Sequence, residues 1–264
     1  LIEQGQSPYH ILANHPELDM SVRTLYSYLD QGLFTARNID LKRKVHFKPR
    51  KCHKTQITDR AVFSNRLYHD FCSLALTGYV QMDTVHSSRE SKKTLLTMFF
   101  TKEKLFLAFL MNRCTKGAVR LVFDRLEKRM GTYEFTSVFE YILTDRGSEF
   151  GDPDALETGV NGIQRSSIYY CDPMQSGQKG GLEQAHTMLR MILPKGTCFE
   201  FLTQWDINLI VNHINSTPRE SLGGRTPYSV ALETLGEEVL NAFQLRPIAP
   251  DEVNLTPKLI RFNH

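Results

Sequence analysis

Three apolar runs of strand length follow one another with no helical stretch between them: Tyr79–Val85, Thr94–Phe100 and Leu105–Met111. Runs of this length bounded by polar turns read as buried strands. The gaps are a hairpin-like Ser87–Lys93 and the short Thr101-Lys102-Glu103-Lys104. Three strands in succession predict an antiparallel meander. Thr115 then caps a helix running to Met130, with Val119, Val122, Phe123 and Leu126 as its buried stripe and Gly131 as its stop.

A fourth strand is predicted at Tyr141–Thr144, followed by a long polar loop, Arg146–Arg165, and a fifth strand at Ile168-Tyr169-Tyr170. The turn Cys171-Asp172-Pro173 and the Gly-rich Ser176–Gly181 lead into another helix. This order is an α/β layout with a mixed sheet. It predicts a ribonuclease-H-like mixed sheet flanked by helices, with a small N-terminal helical region. The last third is helical: Leu202–Ile214, a turn at Ser216–Arg225, and a helix opened by Thr226-Pro227.

Three acids stand out against that layout. Asp145 ends the fourth strand just before a turn at Gly147, Asp83 lies inside the first strand, and Glu183 opens the helix Gly180–Arg190. A single acid at a strand end fits a cap or a turn equally well. Together, Asp, Asp and Glu on strand, strand and helix suit a site for phosphoryl transfer with two divalent ions about 4 Å apart. Carboxylates are the hard ligands that Mg²⁺ prefers. Asp83 would sit between both ions, with Asp145 on one and Glu183 on the other. Glu149 competes for the third place, while Asp152, Asp154 and Glu157 read as solvated loop acids and Asp172 as a turn residue. His186 lies three residues beyond Glu183 and reads equally as a lining residue or a surface histidine.

Residues 1–35 predict a helix opened near Pro8, a turn, and a second helix capped by Ser21 and stopped at Gly32. Val22, Leu25, Tyr26 and Leu29 form one apolar stripe, leaving Arg23, Thr24 and Ser27 on the polar face. In a helix-turn-helix those early residues meet base edges; a helical hairpin with a solvated face fits the same pattern. Residues 36–77 form a basic linker and a helix. From Lys42 to Lys54 there are seven Lys or Arg and no acid: Lys42, Arg43, Lys44, Lys48, Arg50, Lys51 and Lys54. Such a block fits phosphate contacts, which add affinity without reading sequence, or a solvated linker. Residues 58–77 read as the helix, capped by Thr58 or Asp59. Lys179 and Arg190 flank the Glu183 helix and suit DNA phosphates.

The net charge of +3 is small beside this local asymmetry. The five cysteines, Cys52, Cys72, Cys114, Cys171 and Cys198, form no CxxC pair. They predict neither a disulfide framework nor a zinc ribbon, and reduced thiols in a cytoplasm fit them best. No apolar run is long enough to span a bilayer. The chain opens on Leu1 inside an ongoing pattern, which reads as a fragment with more sequence upstream.

Several stretches resemble one family, the bacterial insertion-sequence transposases of the IS-thirty type, within the wider DDE transposase and integrase superfamily. The matching stretches are MDTV at Met82–Val85, KKTLLT at Lys92–Thr97, LTDRGSEF at Leu143–Phe150, YYCDP at Tyr169–Pro173, GQKGGLEQ at Gly177–Gln184, LPKGT at Leu193–Thr197 and NHINSTPRESLGGRTPY at Asn212–Tyr228. Their order runs from Ser21 to about Ala231. The resemblance implies an integrase-type catalytic core over 78–231, a tail over 232–264, and Mg²⁺ or Mn²⁺ as cofactor. It implies cutting and joining of double-stranded DNA at an element's terminal inverted repeats, with Asp83, Asp145 and Glu183 as catalytic and metal-binding residues. It also implies an N-terminal helix-turn-helix, a homo-oligomer on DNA, and a cytoplasmic, nucleoid-associated bacterial protein with no membrane contact. A decayed or domesticated DNA-binding protein of the same fold is the alternative. The family often has Asn where this chain has Arg146, and the 37 residues between Asp145 and Glu183 exceed its usual spacing. His10 and His15 lack the matching CxxC of a retroviral-type zinc module, so no zinc is expected.

Overall fold

The structure is a computed structural model that describes residues 1–41, 61–173 and 175–260. Its centre is a five-stranded sheet in the order β3-β2-β1-β4-β5. The strands are β1 (Val80–His86), β2 (Thr94–Phe100), β3 (Leu105–Met111), β4 (Tyr141–Thr144) and β5 (Ser167–Tyr170). β1, β2 and β3 form the antiparallel meander, and β4 and β5 add in parallel beside β1. β2 is buried along its whole length, which explains why only Thr94 and Thr97 interrupt its apolar residues. This topology is the ribonuclease-H-like mixed sheet expected from the sequence.

Alternation assigns the two faces of the sheet. Gln81 and Asp83 pair with Phe99 and Thr97, and this face lies under α7 (Gly180–Ile192). On the other face Phe100 meets Phe139 and Phe243, near α4 (Lys116–Met130) and α5 (Thr132–Val138). The close approach of α7 to β2 depends on Gly181, because an added Cβ would collide with the buried Phe99 ring.

β3 is an edge strand, and α8 (Gln204–Asn215) covers it with side-chain amides. Asn215 accepts from Phe106 N at 2.9 Å and donates to Phe106 O at 2.7 Å. Gln204 accepts from Leu110 N at 2.7 Å and donates to Ala108 O at 3.1 Å. Four outward backbone groups of β3 thereby find partners without a sixth strand. The residues after 231 do not hang loose: Val239, Leu240, Phe243, Leu245, Val253, Leu255 and Ile260 join the main core.

At the N-terminus, α1 (Pro8–Asn14) starts with Pro8 at its first position and Ser7 as its cap, and α2 (Val22–Asp30) is capped by Ser21. Leu25 and Leu29 are buried, whereas Tyr26, placed in the apolar stripe by the sequence, is exposed. The helix expected over 58–77 is shorter among the described residues. A 3-10 turn at Ala61–Phe63 gives way to Asn65 at φ 60°, and only α3 (Tyr68–Ser73) is α-helical. Here the backbone bonds to β5 instead, Tyr170 N donating to Arg66 O at 2.8 Å.

The long loop after β4 contains a 3-10 turn at Ser148–Phe150 and α6 (Pro153–Glu157). Glu157, read as a solvated acid, is buried, ion-paired with Arg66, and accepts from Ile168 N at 2.7 Å. Arg165 is fully buried between the Phe123 and Phe135 rings and pairs with Asp124 and Glu127, both at 2.7 Å.

Candidate active site

The parallel register of β1 and β4 pairs Val80 with Ile142 and Gln81 with Leu143. Continued upward, that register sets Asp83 level with Asp145. Thr144 reinforces it, donating from Oγ1 to Met82 O at 3.1 Å. The two aspartates are distant in sequence and become neighbours at the open end of the sheet. Asp83 Oδ1 accepts from Thr84 N at 2.7 Å, and Asp145 Oδ1 accepts from Gly147 N at 2.9 Å. Gly147 leaves no room for a Cβ, which would press on both Glu149 and Asp145.

A cation lies between the two acids, and it is Lys179. Its Nζ is 3.0 Å from Asp83 Oδ2 and 3.4 Å from Asp145 Oδ2, and it donates to Met82 O at 3.3 Å. Lys179, expected on DNA phosphates, is buried in the site. The Asp145 carboxyl is held above the usual range, first by loss of hydration, with Asp83 and Glu149 adding to it. The Lys179 ammonium and the Gly147 N–H act in the opposite direction.

Glu183 is exposed in the first turn of α7, and among the described residues no ion pair ties it to Lys179. The start of α7 is fixed to β1 by Gln81, whose Oε1 accepts from Leu182 N at 2.9 Å. Leu182 N is one of the donors a helix start leaves without an internal partner. Gln81 was not singled out in the sequence, although its place two residues before Asp83 on the same strand face was the available signal.

His186 is neither a surface residue nor an open lining group. Its Nε2 lies 2.8 Å from Thr97 Oγ1, which donates to Asp83 O at 3.0 Å. Thr97 gives its one proton to that carbonyl, so His186 Nε2 carries the proton of the other bond. Burial pushes His186 down to about 4, so it is neutral near pH 7. Arg190 also works within the protein, donating to His86 O at 3.1 Å.

Arg146, the departure beside Asp145, places its guanidinium over the Phe63 ring at 5.4 Å from the centroid. Glu149 is drawn toward Thr84, whose Oγ1 donates to Glu149 Oε1 at 2.8 Å, and it is not paired with Lys179. Arg89, Lys92 and Arg113 line a cleft beyond the ends of β1 and β3; none was singled out as basic surface in the sequence. Arg23 and Ser27 are exposed on α2 and Thr24 is half-buried, its Oγ1 2.8 Å from Ser21 Oγ. Lys42, Arg43, Lys44, Lys48, Arg50, Lys51 and Lys54 lie outside the described residues.

A ribonuclease-H-like sheet with one aspartate inside its first strand and another ending the neighbouring fourth defines a class of proteins with carboxylate-centred sites. No protein-family model matches the chain. The curated relatives are more specific. The chain is 24% identical over 204 residues to a protein described as putative integrase ORF3 of Spiroplasma virus SpV1-R8A2 B, covering 76% of this chain and 60% of that one. It is 32% identical over 88 residues to transposase InsI for insertion sequence element IS30A of Escherichia coli, covering 33% of this chain and 21% of that one. These matches agree with the resemblance read from the motifs: the chain is similar to insertion-sequence transposases, the IS-thirty type among them. It spans three fifths or less of the length of either relative. Among solved structures, the catalytic core domain of BIV integrase aligns with a TM-score of 0.41 and 24% identity, over 59% of this chain and 94% of that one.

Proposed function

We propose that the chain is the catalytic part of a DDE transposase that cuts and joins double-stranded DNA at the terminal inverted repeats of an insertion sequence. The observation that carries this reading is the pairing of Asp83 and Asp145 around a buried cation. A site that already holds an ammonium between two carboxylates has the donors and charge that a hard divalent ion needs. Asp83, Asp145 and Glu183 would hold Mg²⁺ or Mn²⁺, which when bound supplies activation of the attacking oxygen and stabilisation of the leaving one.

The remaining groups position these acids. Gln81 and Gly181 set the start of α7 on the sheet, and the His186–Thr97 chain fixes β1 at Asp83. Arg89, Lys92 and Arg113 would take DNA phosphates beside the site. Arg23, Thr24 and Ser27 would meet DNA through α2, and the basic block from Lys42 to Lys54 would add contacts to its backbone. Assembly as a homo-oligomer on DNA and a cytoplasmic, nucleoid-associated place belong to the same reading.

The test is strand transfer with Mg²⁺ on a labelled duplex ending in the element's own inverted repeat. D83N, D145N and E183Q are each expected to abolish joined product while DNA binding is kept. Joining that survives D83N and D145N would sink the assignment. Binding without product in the unmutated protein would favour the decayed, DNA-binding form.

A further inference from the structure

Three side chains of metal-binding type converge outside the Asp83–Asp145 pair. His86 ends β1, Cys114 precedes the cap of α4, and Glu149 lies in the 3-10 turn after β4. One ligand atom from each, an imidazole nitrogen, the Cys114 Sγ and a carboxylate oxygen, lies within 4.8 Å of the other two. The three come from three separate elements, so no local sequence pattern announces them.

β1 separates His86 from Asp83, while Glu149 is the arm nearest the acids, its carboxylate also acting on Asp145. Thr84 and His86 alternate to the face opposite Asp83, and Thr84 Oγ1 fixes Glu149 there. Each arm is anchored independently. His86 O accepts from Arg190. Thr115 caps α4 directly after Cys114, its side chain accepting from Ala118 N. Lys116 Nζ, at the start of the same helix, donates to Gly151 O at 3.0 Å, tying it to the loop that carries Glu149. The neighbouring cleft carries the basic residues Arg89, Lys92 and Arg113 among serines and threonines.

We infer that His86, Cys114 and Glu149 form a binding site for a borderline-soft divalent cation, Zn²⁺ above all, separate from the proposed Mg²⁺ site. One nitrogen, one sulfur and one oxygen ligand suit tetrahedral Zn²⁺, with the fourth position left to water. A thiol and an imidazole are poor ligands for Mg²⁺, so the two sites would sort the two metals. On binding, Cys114 releases its proton to solvent and the sulfur lone pair goes to the metal. Thiolate and carboxylate balance the two positive charges, which lets the site stand beside Arg89 and Lys92. A bound ion would clasp the end of β1, the start of α4 and the loop after Asp145.

Co²⁺ is the probe, because a thiolate ligand gives it a charge-transfer absorption that oxygen ligands do not. The unmutated protein, with thiols reduced, is titrated with Co²⁺ and then with Zn²⁺ in competition. The expected result is a charge-transfer band with tetrahedral visible bands, displaced by Zn²⁺. C114S should remove the band, and H86A and E149Q should each weaken Zn²⁺ binding by more than about 100-fold, since even supporting partners of a ligand cost 10–100-fold. D83N/D145N should leave the band intact, which separates this site from the proposed catalytic one whatever that one does. No band in the unmutated protein, or a band that survives C114S, overturns the assignment.

Discussion

Lys179 shows what a single residue can hide. In the sequence it was a basic residue beside the helix that carries Glu183, and phosphate contact was the natural expectation. In the structure its ammonium stands where the proposed function puts a metal ion. K179M is therefore expected to bind Mn²⁺ about tenfold more tightly, because the ion no longer competes with a resident cation; calorimetry measures this. The same variant should melt at a lower temperature without metal, since Asp83 and Asp145 would then face each other unscreened. Asp83 and Asp145 were legible as strand residues from their apolar flanks, and the ribonuclease-H-like order of the elements set their strands side by side. Arg165 was not: a polar residue in a polar loop gives no sign that it will be buried between two phenylalanines.

At the scale of elements, β2, β3 and β4 fall where the apolar runs put them, because burial on the sheet needs those runs. α5, α6 and the broken 58–77 segment were not legible: short helices carry too few turns to show a period, and Asn65 at positive φ gives no periodic signal. The covering of β3 by α8 was equally hidden, as amide-to-backbone pairing has no pattern of its own. N215A is expected to cost about 3 kcal/mol, because it strands a buried N–H and a buried C=O of Phe106. Urea denaturation would read this as a lower midpoint. G181A should cost about 1–3 kcal/mol by forcing α7 off the Phe99 ring, and the same change made in an F99A background should cost less.

At the scale of the whole molecule, the stretch that carried much of the family resemblance, Asn212 to Tyr228, proves to be a clamp as well as a signature. Asn212 Oδ1 accepts from Arg246 N at 3.0 Å, Ser216 Oγ from Ile248 N at 2.9 Å, and His213 Nδ1 from Asn254 N at 3.1 Å. The segment they hold stands in the sequence only as a tail after residue 231, since its order comes from these distant partners. Buried His213 is pushed down to about 4 by loss of hydration. As pH falls, the unfolded chain takes up this proton first, near 6.5, so stability drops between pH 6.5 and about 4, by up to about 3 kcal/mol from this group. Comparing pH-dependent urea midpoints of the unmutated protein and H213Q isolates it: the variant should show the shallower decline. The clamp also sets how damage accumulates. Asn212 and Ser216 restrain one stretch of backbone, so freeing it once leaves little for the second loss to undo. N212A and S216A together should cost clearly less than their separate costs added, which makes this end of the protein tolerant of a second mutation once it has absorbed the first.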